Sequence, residues 1–237
     1  MMRRTFDDTL SWSETGTELL LDTAAGWGEE QYLAPSGLPG WTRKHLVAHV
    51  AANADALSNL VRWAATGEKT PMYSSPQQRN ADIEAGSRKP AAELAAWLSS
   101  SAERLAAGVA GLNDDQWNAR VVTAQGRTVP ATEIPWLRSR EVCVHAVDLA
   151  SGIAFTDLPA GFMTALADDI VAKRGSAAGP AVVLAATDTG DHWELPGEGE
   201  PVTVDGPLAD VAAYLAGRPH ALTTPDGSSA PALPAWL

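Results

Sequence analysis

The chain has 237 residues, enough for one large domain or two small ones, and its 45% apolar fraction leaves room for a sizeable core. Seventeen basic residues stand against 29 acidic ones, a net charge of −12, which argues against nucleic acid or an anionic membrane surface as a partner. Cys143 is the single cysteine, so no disulfide framework can form within the chain, and a reducing, cytoplasmic setting is expected.

Arg3 and Arg4 are followed at once by Asp7 and Asp8 with no apolar stretch, so no signal peptide is expected. No apolar run approaches the ~20 residues of a membrane span. Residues 5–25, with Leu10, Leu19, Leu20 and Leu21, predict a first helix ending near Gly26. Residues 34–40 read as a loop from their Pro and Gly content. A second helix is predicted over 42–65, capped by Thr42 and stopped before Gly67, with Leu57, Leu60, Val61 and Trp63 as its apolar positions. His45, His49 and Asn53 share one of its faces.

A connection holding Pro71 and Pro76 leads to a short polar helix over 77–86, then to a long alanine-rich helix over 90–112 carrying Leu94, Trp97, Leu98, Leu105 and Val109. Residues 119–130 read as a small hairpin around Gln125-Gly126, and 131–151 as a fourth long helix with Pro135 in its first turn and Gly152 at its end. Four long helices imply a four-helix bundle, a fold that builds metal sites from inward-facing side chains. Beyond Gly152 the texture changes. A helix over 159–173, a loop from Gly175 to Pro180, and strands over 181–186, 192–195 and 201–204 precede a helix over 207–216 and a tail that is irregular from Pro225. The expected division is a helical bundle over 1–152 and a small α+β domain over 153–237.

The chemistry concentrates on two helices. Glu141 and His145 are four residues apart and so share a face, which Arg138 and Asp148 extend. That stripe reads either as a solvated face with an ordinary ion pair or as half of a metal site. Three of the five histidines lie on these two helices. A bundle that sets His49 opposite Glu141 and His145 gives two imidazoles and one carboxylate, the shell of a catalytic zinc with a position left for water or substrate. H-x3-H and E-x3-H are each weak signals alone.

Longer blocks carry more information. Gly40-Trp41-Thr42-Arg43 with His45 and His49, Thr66-Gly67-Glu68 with Thr70-Pro71-Met72-Tyr73, Ala124-Gln125-Gly126-Arg127-Thr128-Val129-Pro130, and Arg138-Ser139-Arg140-Glu141-Val142 with His145-Ala146-Val147-Asp148-Leu149 resemble the mycothiol-dependent maleylpyruvate isomerase family of DinB/YfiT-like metal-binding bundles. The resemblance extends to Ala216-Gly217-Arg218 and the terminal Trp236-Leu237. It implies an α+β chain in which a DinB-like four-helix bundle precedes a small sterol-carrier-like domain. It also implies zinc held by His49, Glu141 and His145, mycothiol as cofactor, and cis–trans isomerisation of maleylpyruvate to fumarylpyruvate in gentisate degradation. The expected partners are a small dicarboxylate and a low-molecular-weight thiol, with a monomeric protein favoured.

The remaining residues carry two readings each. Cys143 reads as a buried helical cysteine rather than the nucleophile, so the thiol must come from outside. His45 is expected beside the site rather than in it. Asp148 is either a hydrogen-bond partner of His145 or a surface charge, and Arg138 either binds a substrate carboxylate or pairs with Glu141. Met72 and Tyr73 cover the pocket mouth or simply pack. Arg218, the one base against eight acids from residue 175 onward, is expected to reach the zinc pocket and hold a carboxylate of substrate or its enolate. Two competing functions are a mycothiol S-transferase for other electrophiles and a non-catalytic metal-binding or regulatory module.

Overall fold

A computed structural model describes residues 4–174 and 179–234. Residues 175–178 of the loop expected from Gly175 to Pro180, and the terminal Trp236-Leu237, lie outside the described residues. The chain forms two compact units, Thr9–Ile153, and Ala154–Leu237 with Met1–Asp8.

The first unit is built from α1 (Phe6–Ala24), α2 (Glu29–Leu33), α3 (Arg43–Thr66), α4 (Pro76–Ser87), α5 (Ala91–Ala110), α6 (Asp114–Trp117), the hairpin β1 (Arg120–Val122) and β2 (Thr128–Pro130), and α7 (Ile134–Asp148). α3 is the central element, packed by α4, α5 and α7. Its composition explains the position. Leu46, Val47, Val50, Leu57 and Leu60 are fully buried, and Ala48, Ala51 and Ala54 leave almost no side chain between α3 and its neighbours. A helix that is apolar on most sides is stable only when surrounded. Gly67 ends it in the left-handed conformation (φ +74°) that glycine adopts without steric cost.

α1 covers another side of α7. The rings of Trp12 and Trp136 meet edge-on at 6.1 Å, and Ser139 Oγ donates to the Thr9 carbonyl at 2.9 Å. Gly16 permits the close approach, since a Cβ there would lie 2.5 Å from Cys143 Sγ and 2.6 Å from Val142 Cγ2. The hairpin forms around Gln125-Gly126 as expected, with Val122 opposite Thr128 and Gly126 at φ +77°.

The second unit contains α8 (Ala160–Arg174), the strands β3 (Pro180–Ala186), β4 (His192–Leu195) and β5 (Glu198–Gly206), and α9 (Leu208–Leu215). The strand order is β4-β3-β5, with β3 and β4 antiparallel and β3 and β5 parallel in the register Val182↔Val202. The chain is thus α+β, a helical bundle followed by a small α/β unit. Against the expectations, β5 is longer at both ends, and α2 and α6 were not foreseen; segments of four or five residues are too short to show a helical period. Among the described residues, no helix is long and apolar enough to cross a membrane.

Candidate metal centre

His49 sits on the second turn of α3, and Glu141 and His145 sit on successive turns of α7. The two helices are tied together next to these residues. Arg43, in the first turn of α3, donates from Nε to the Leu149 carbonyl at 2.7 Å and from Nη2 to the Ala150 carbonyl at 2.6 Å, just past the end of α7. A cation at that end also complements the helix dipole. The Arg43 guanidinium lies over the Trp27 ring, 4.8 Å from its centroid. The loop before α3 adds a backbone bond from Gly37 N to the Asp148 carbonyl at 2.7 Å. Trp41 packs edge-on against His49, with ring centroids 5.7 Å apart. The Gly40-Trp41-Thr42-Arg43 block therefore holds the histidine of one helix opposite the carboxylate and histidine of the other.

The result is a convergent cluster. Glu141 Oε2 lies 2.9 Å from His49 Nε2 and 3.4 Å from His145 Nε2. Candidate donor atoms of the three residues all fall within 4.8 Å of one another. The two imidazole rings cross at 80° with centroids 5.0 Å apart, so neither blocks the other's approach to a common point. On its outer side His145 Nδ1 lies 2.9 Å from Asp148 Oδ2, and Asp148 is only 2% exposed. This buried carboxylate fixes the ring and turns Nε2 inward, the arrangement that orients a metal-binding histidine.

The electrostatics follow from this crowding. Burial pushes the Glu141 carboxyl up, but hydrogen bonds from His145 and His49 outweigh it and hold the group well below the ordinary carboxylate range. Burial opposes charge on His145, yet Asp148 and Glu141 outweigh it and raise the pKa to about 9. His49 is lowered, because burial is only partly offset by Glu141. In the metal-free cluster Glu141 favours its anion, His145 is drawn toward its cation by Asp148 and Glu141 together, and burial favours the neutral form of His49. Two imidazole nitrogens and one carboxylate facing one point suit a divalent zinc, for which Zn–N bonds of ~2.0–2.1 Å would set tetrahedral donors ~3.4 Å apart.

His49 and Glu141 border a cavity of about 490 Å³, within the range of small-molecule sites. Met72 and Tyr73 line it, and both also pack in or against the hydrophobic core. Arg79 and Arg140, which the sequence reading did not single out, line it too. Arg79 Nη2 comes within 3.3 Å of His49 Nδ1, and its guanidinium lies 6.0 Å from the Tyr73 ring centroid.

The other expected residues separate clearly. His45 Nδ1 lies 2.8 Å from Thr42 Oγ1 and accepts from Thr42 N at 3.3 Å, so it completes the start of α3 beside the cluster, as expected. Arg138, expected to meet a substrate carboxylate or pair with Glu141, is 2% exposed and does not border the cavity. Its Nη1 donates to the Val50 carbonyl at 2.9 Å and to Asn53 Oδ1 at 3.1 Å, which commits the guanidinium to joining α7 and α3. Cys143 is fully buried on α7, its Sγ 3.5 Å from the Trp12 carbonyl, and burial pushes its thiol up to about 12. Burial and a raised pKa both disfavour the reactive thiolate. In the second unit, Arg218 follows α9; its backbone N donates to the Ala213 carbonyl at 2.8 Å and its Nη1 to the Ala216 carbonyl at 2.5 Å, closing the last turn of that helix.

Comparison with known proteins bears on what this cluster is. A family model described as the mycothiol maleylpyruvate isomerase N-terminal domain matches residues 14–150, the stretch that contains all three cluster residues. The solved structure of the mycothiol-dependent maleylpyruvate isomerase is 38% identical, with 98% of each chain covered and a TM-score of 0.92. A histidine-to-alanine mutant of the enzyme of that name is 37% identical at the same coverage and TM-score. A comparison with curated protein sequences found no significant match. Agreement over nearly the full length of both chains, at well over a third identity, is agreement of the helical bundle and the α+β unit together, and on that ground the chain belongs to the mycothiol maleylpyruvate isomerase family of enzymes.

Proposed function

We propose that the protein is a zinc- and mycothiol-dependent isomerase that converts maleylpyruvate to fumarylpyruvate in gentisate breakdown. The observation that carries the reading is the His49–Glu141–His145 cluster opening onto a cavity in a chain of this family. His49, Glu141 and His145 would hold the zinc, which supplies a positive charge able to acidify a coordinated thiol. Mycothiol supplies the nucleophile, whose reversible addition to the alkene gives a single bond about which rotation is free. The protein's own part is to hold these groups. Asp148 keeps His145 in one orientation, Arg43 fixes the two ligand-bearing helices in register, and Met72 and Tyr73 supply part of the cavity wall.

The burial and raised pKa of Cys143 support an external thiol. The proposal includes a cytoplasmic, monomeric protein organised as a bundle over 1–152 and a second domain over 153–237. The test is purified, zinc-loaded protein with maleylpyruvate, with and without mycothiol. Turnover is expected only with both, and the thiol is expected to be recovered unconsumed. Stoichiometric loss of thiol would point to an S-transferase instead. Absence of thiol-dependent turnover on any electrophile would favour a non-catalytic metal-binding module. In the same assay Cys143→Ala is expected to keep most of its turnover, whereas a folded but inactive variant would make Cys143 the nucleophile after all.

Arg218 belongs to the same proposal as a catalytic, substrate-binding residue. It is the one base among the eight acids of the chain from residue 175 onward, and the implied substrate is a dianion. Guanidinium holds a carboxylate through two parallel hydrogen bonds, which lysine cannot reproduce. Arg218→Lys is expected to cut turnover strongly with zinc content and Tm near wild type. Near-normal kinetics in Arg218→Ala would leave it only its role at the end of α9.

A further inference from the structure

The cavity beside the cluster has an unusual charge for this protein. The chain carries 17 bases against 29 acids, yet the cavity is bordered by three bases, Lys69, Arg79 and Arg140, and by a single acid, Glu141. The charge of Glu141 is already engaged by His49 and His145. The lining of the cavity thus carries more bases than acids inside an acidic molecule.

The two arginines are placed by their helices and not by chance at the surface. On α4 the buried residues are Ile83 and Gly86. Arg79 lies four and seven residues before them, so it continues the inward face of an otherwise polar helix. On α7, Leu137, Arg140 and Glu141 all border the cavity at i, i+3 and i+4, and Arg140 is buried at 7% exposure. Both arginines thus stand on helices that border the space, while Lys69 sits at an exposed position. The guanidinium fork matches a carboxylate in two parallel bonds.

We propose that Arg79 and Arg140 form a carboxylate-binding subsite that holds one acid group of a small cis-dicarboxylate next to the His49–Glu141–His145 cluster, with Lys69 attracting the dianion at the rim. The choice of a dicarboxylate rests on the proposed isomerase reading; the base-rich lining does not. Arg79 and Arg140 set which substrates enter, and neutral electrophiles gain less from them.

The probe is maleate, the plain cis-dicarboxylate, titrated calorimetrically into zinc-loaded protein without thiol, so that no turnover enters the measurement. Maleate is expected to bind the wild type and dimethyl maleate is not. Arg79→Gln and Arg140→Gln are each expected to weaken maleate binding by roughly tenfold or more, the scale of a lost charge-assisted pair, when compared at matched zinc content, since Arg79 also meets His49 Nδ1. Arg140→Lys serves if the buried glutamine variant does not fold, and is expected to weaken binding because it keeps the charge without the fork. Arg104→Gln, at an exposed arginine paired with Asp55 outside the cavity lining, is the control and should bind as wild type. No maleate binding to the wild type, or unchanged affinity in the folded arginine variants, overturns the subsite even if the isomerase is active. Maleate binding that depends on both arginines in a protein that fails to isomerise maleylpyruvate keeps the subsite and overturns the activity.

Discussion

His145→Ala is expected to lower zinc affinity by about a hundredfold or more and to reduce turnover in parallel, while the bundle still folds. The size follows from the site's geometry. Removing the imidazole leaves only His49 and Glu141, two donors where a stable zinc shell needs at least three from the protein. Loss of a direct ligand should exceed the ~10–100-fold seen when a ligand's supporting hydrogen bond is removed. It also leaves the Asp148 carboxylate without the partner it meets at 2.9 Å, at a position only 2% exposed, so some loss of stability accompanies the loss of metal. The zinc effect is therefore read directly, by metal content after dialysis and by competition with a chromogenic chelator, with Tm recorded beside it. Zinc binding to the wild type should also depend on pH. His145 carries a proton below about 9 in the metal-free cluster, and zinc must displace it from Nε2, so affinity should fall as the pH drops below that value. Full zinc occupancy in a folded His145→Ala protein would remove this residue from the site.

Much of this was legible in the sequence because it depends on local periodicity. The lengths and order of α3, α5 and α7 follow from Leu, Val and Ala spacing, and the i,i+4 pair of Glu141 and His145 fixes which face of α7 carries the chemistry. What joins the halves was not legible. Arg43 bonds to carbonyls 106 and 107 residues away, and nothing local to it distinguishes that role from a solvated first-turn charge. Arg79 was missed for a related reason. It stands on a short helix with few apolar residues, where Gln78, Asn80 and Asp82 suggest solvent on every side, and only the burial of Ile83 and Gly86 reveals which way it faces. Arg138 shows another contact that local sequence does not reveal. It continues the stripe of Glu141 and His145 in sequence, but the small residues of α3 bring that helix close enough for Val50 and Asn53 to take its guanidinium.

Asp148→Asn is expected to weaken zinc binding by ~10–100-fold without removing any ligand. The substitution keeps the shape of the side chain and the backbone bond that the Asp148 carbonyl accepts from Gly37, so the end of α7 should stay in place. What changes is the atom facing His145 Nδ1. A carboxylate can only accept there, which keeps a proton on Nδ1 and leaves the Nε2 lone pair for the metal. An amide can turn its NH2 toward the ring and stabilise the opposite tautomer, with the proton on Nε2, where the metal must bind. The amide also removes a negative charge that stabilises the imidazolium, so the His145 pKa in metal-stripped protein should drop from about 9 toward the ordinary histidine value. A purely structural role for Asp148 would change Tm and leave that titration where it is. NMR titration of the His145 ring, read together with zinc affinity, separates the two. Zinc affinity within about twofold of wild type, against the larger loss expected for an orienting carboxylate, would show that Asp148 merely fills space at the end of the helix.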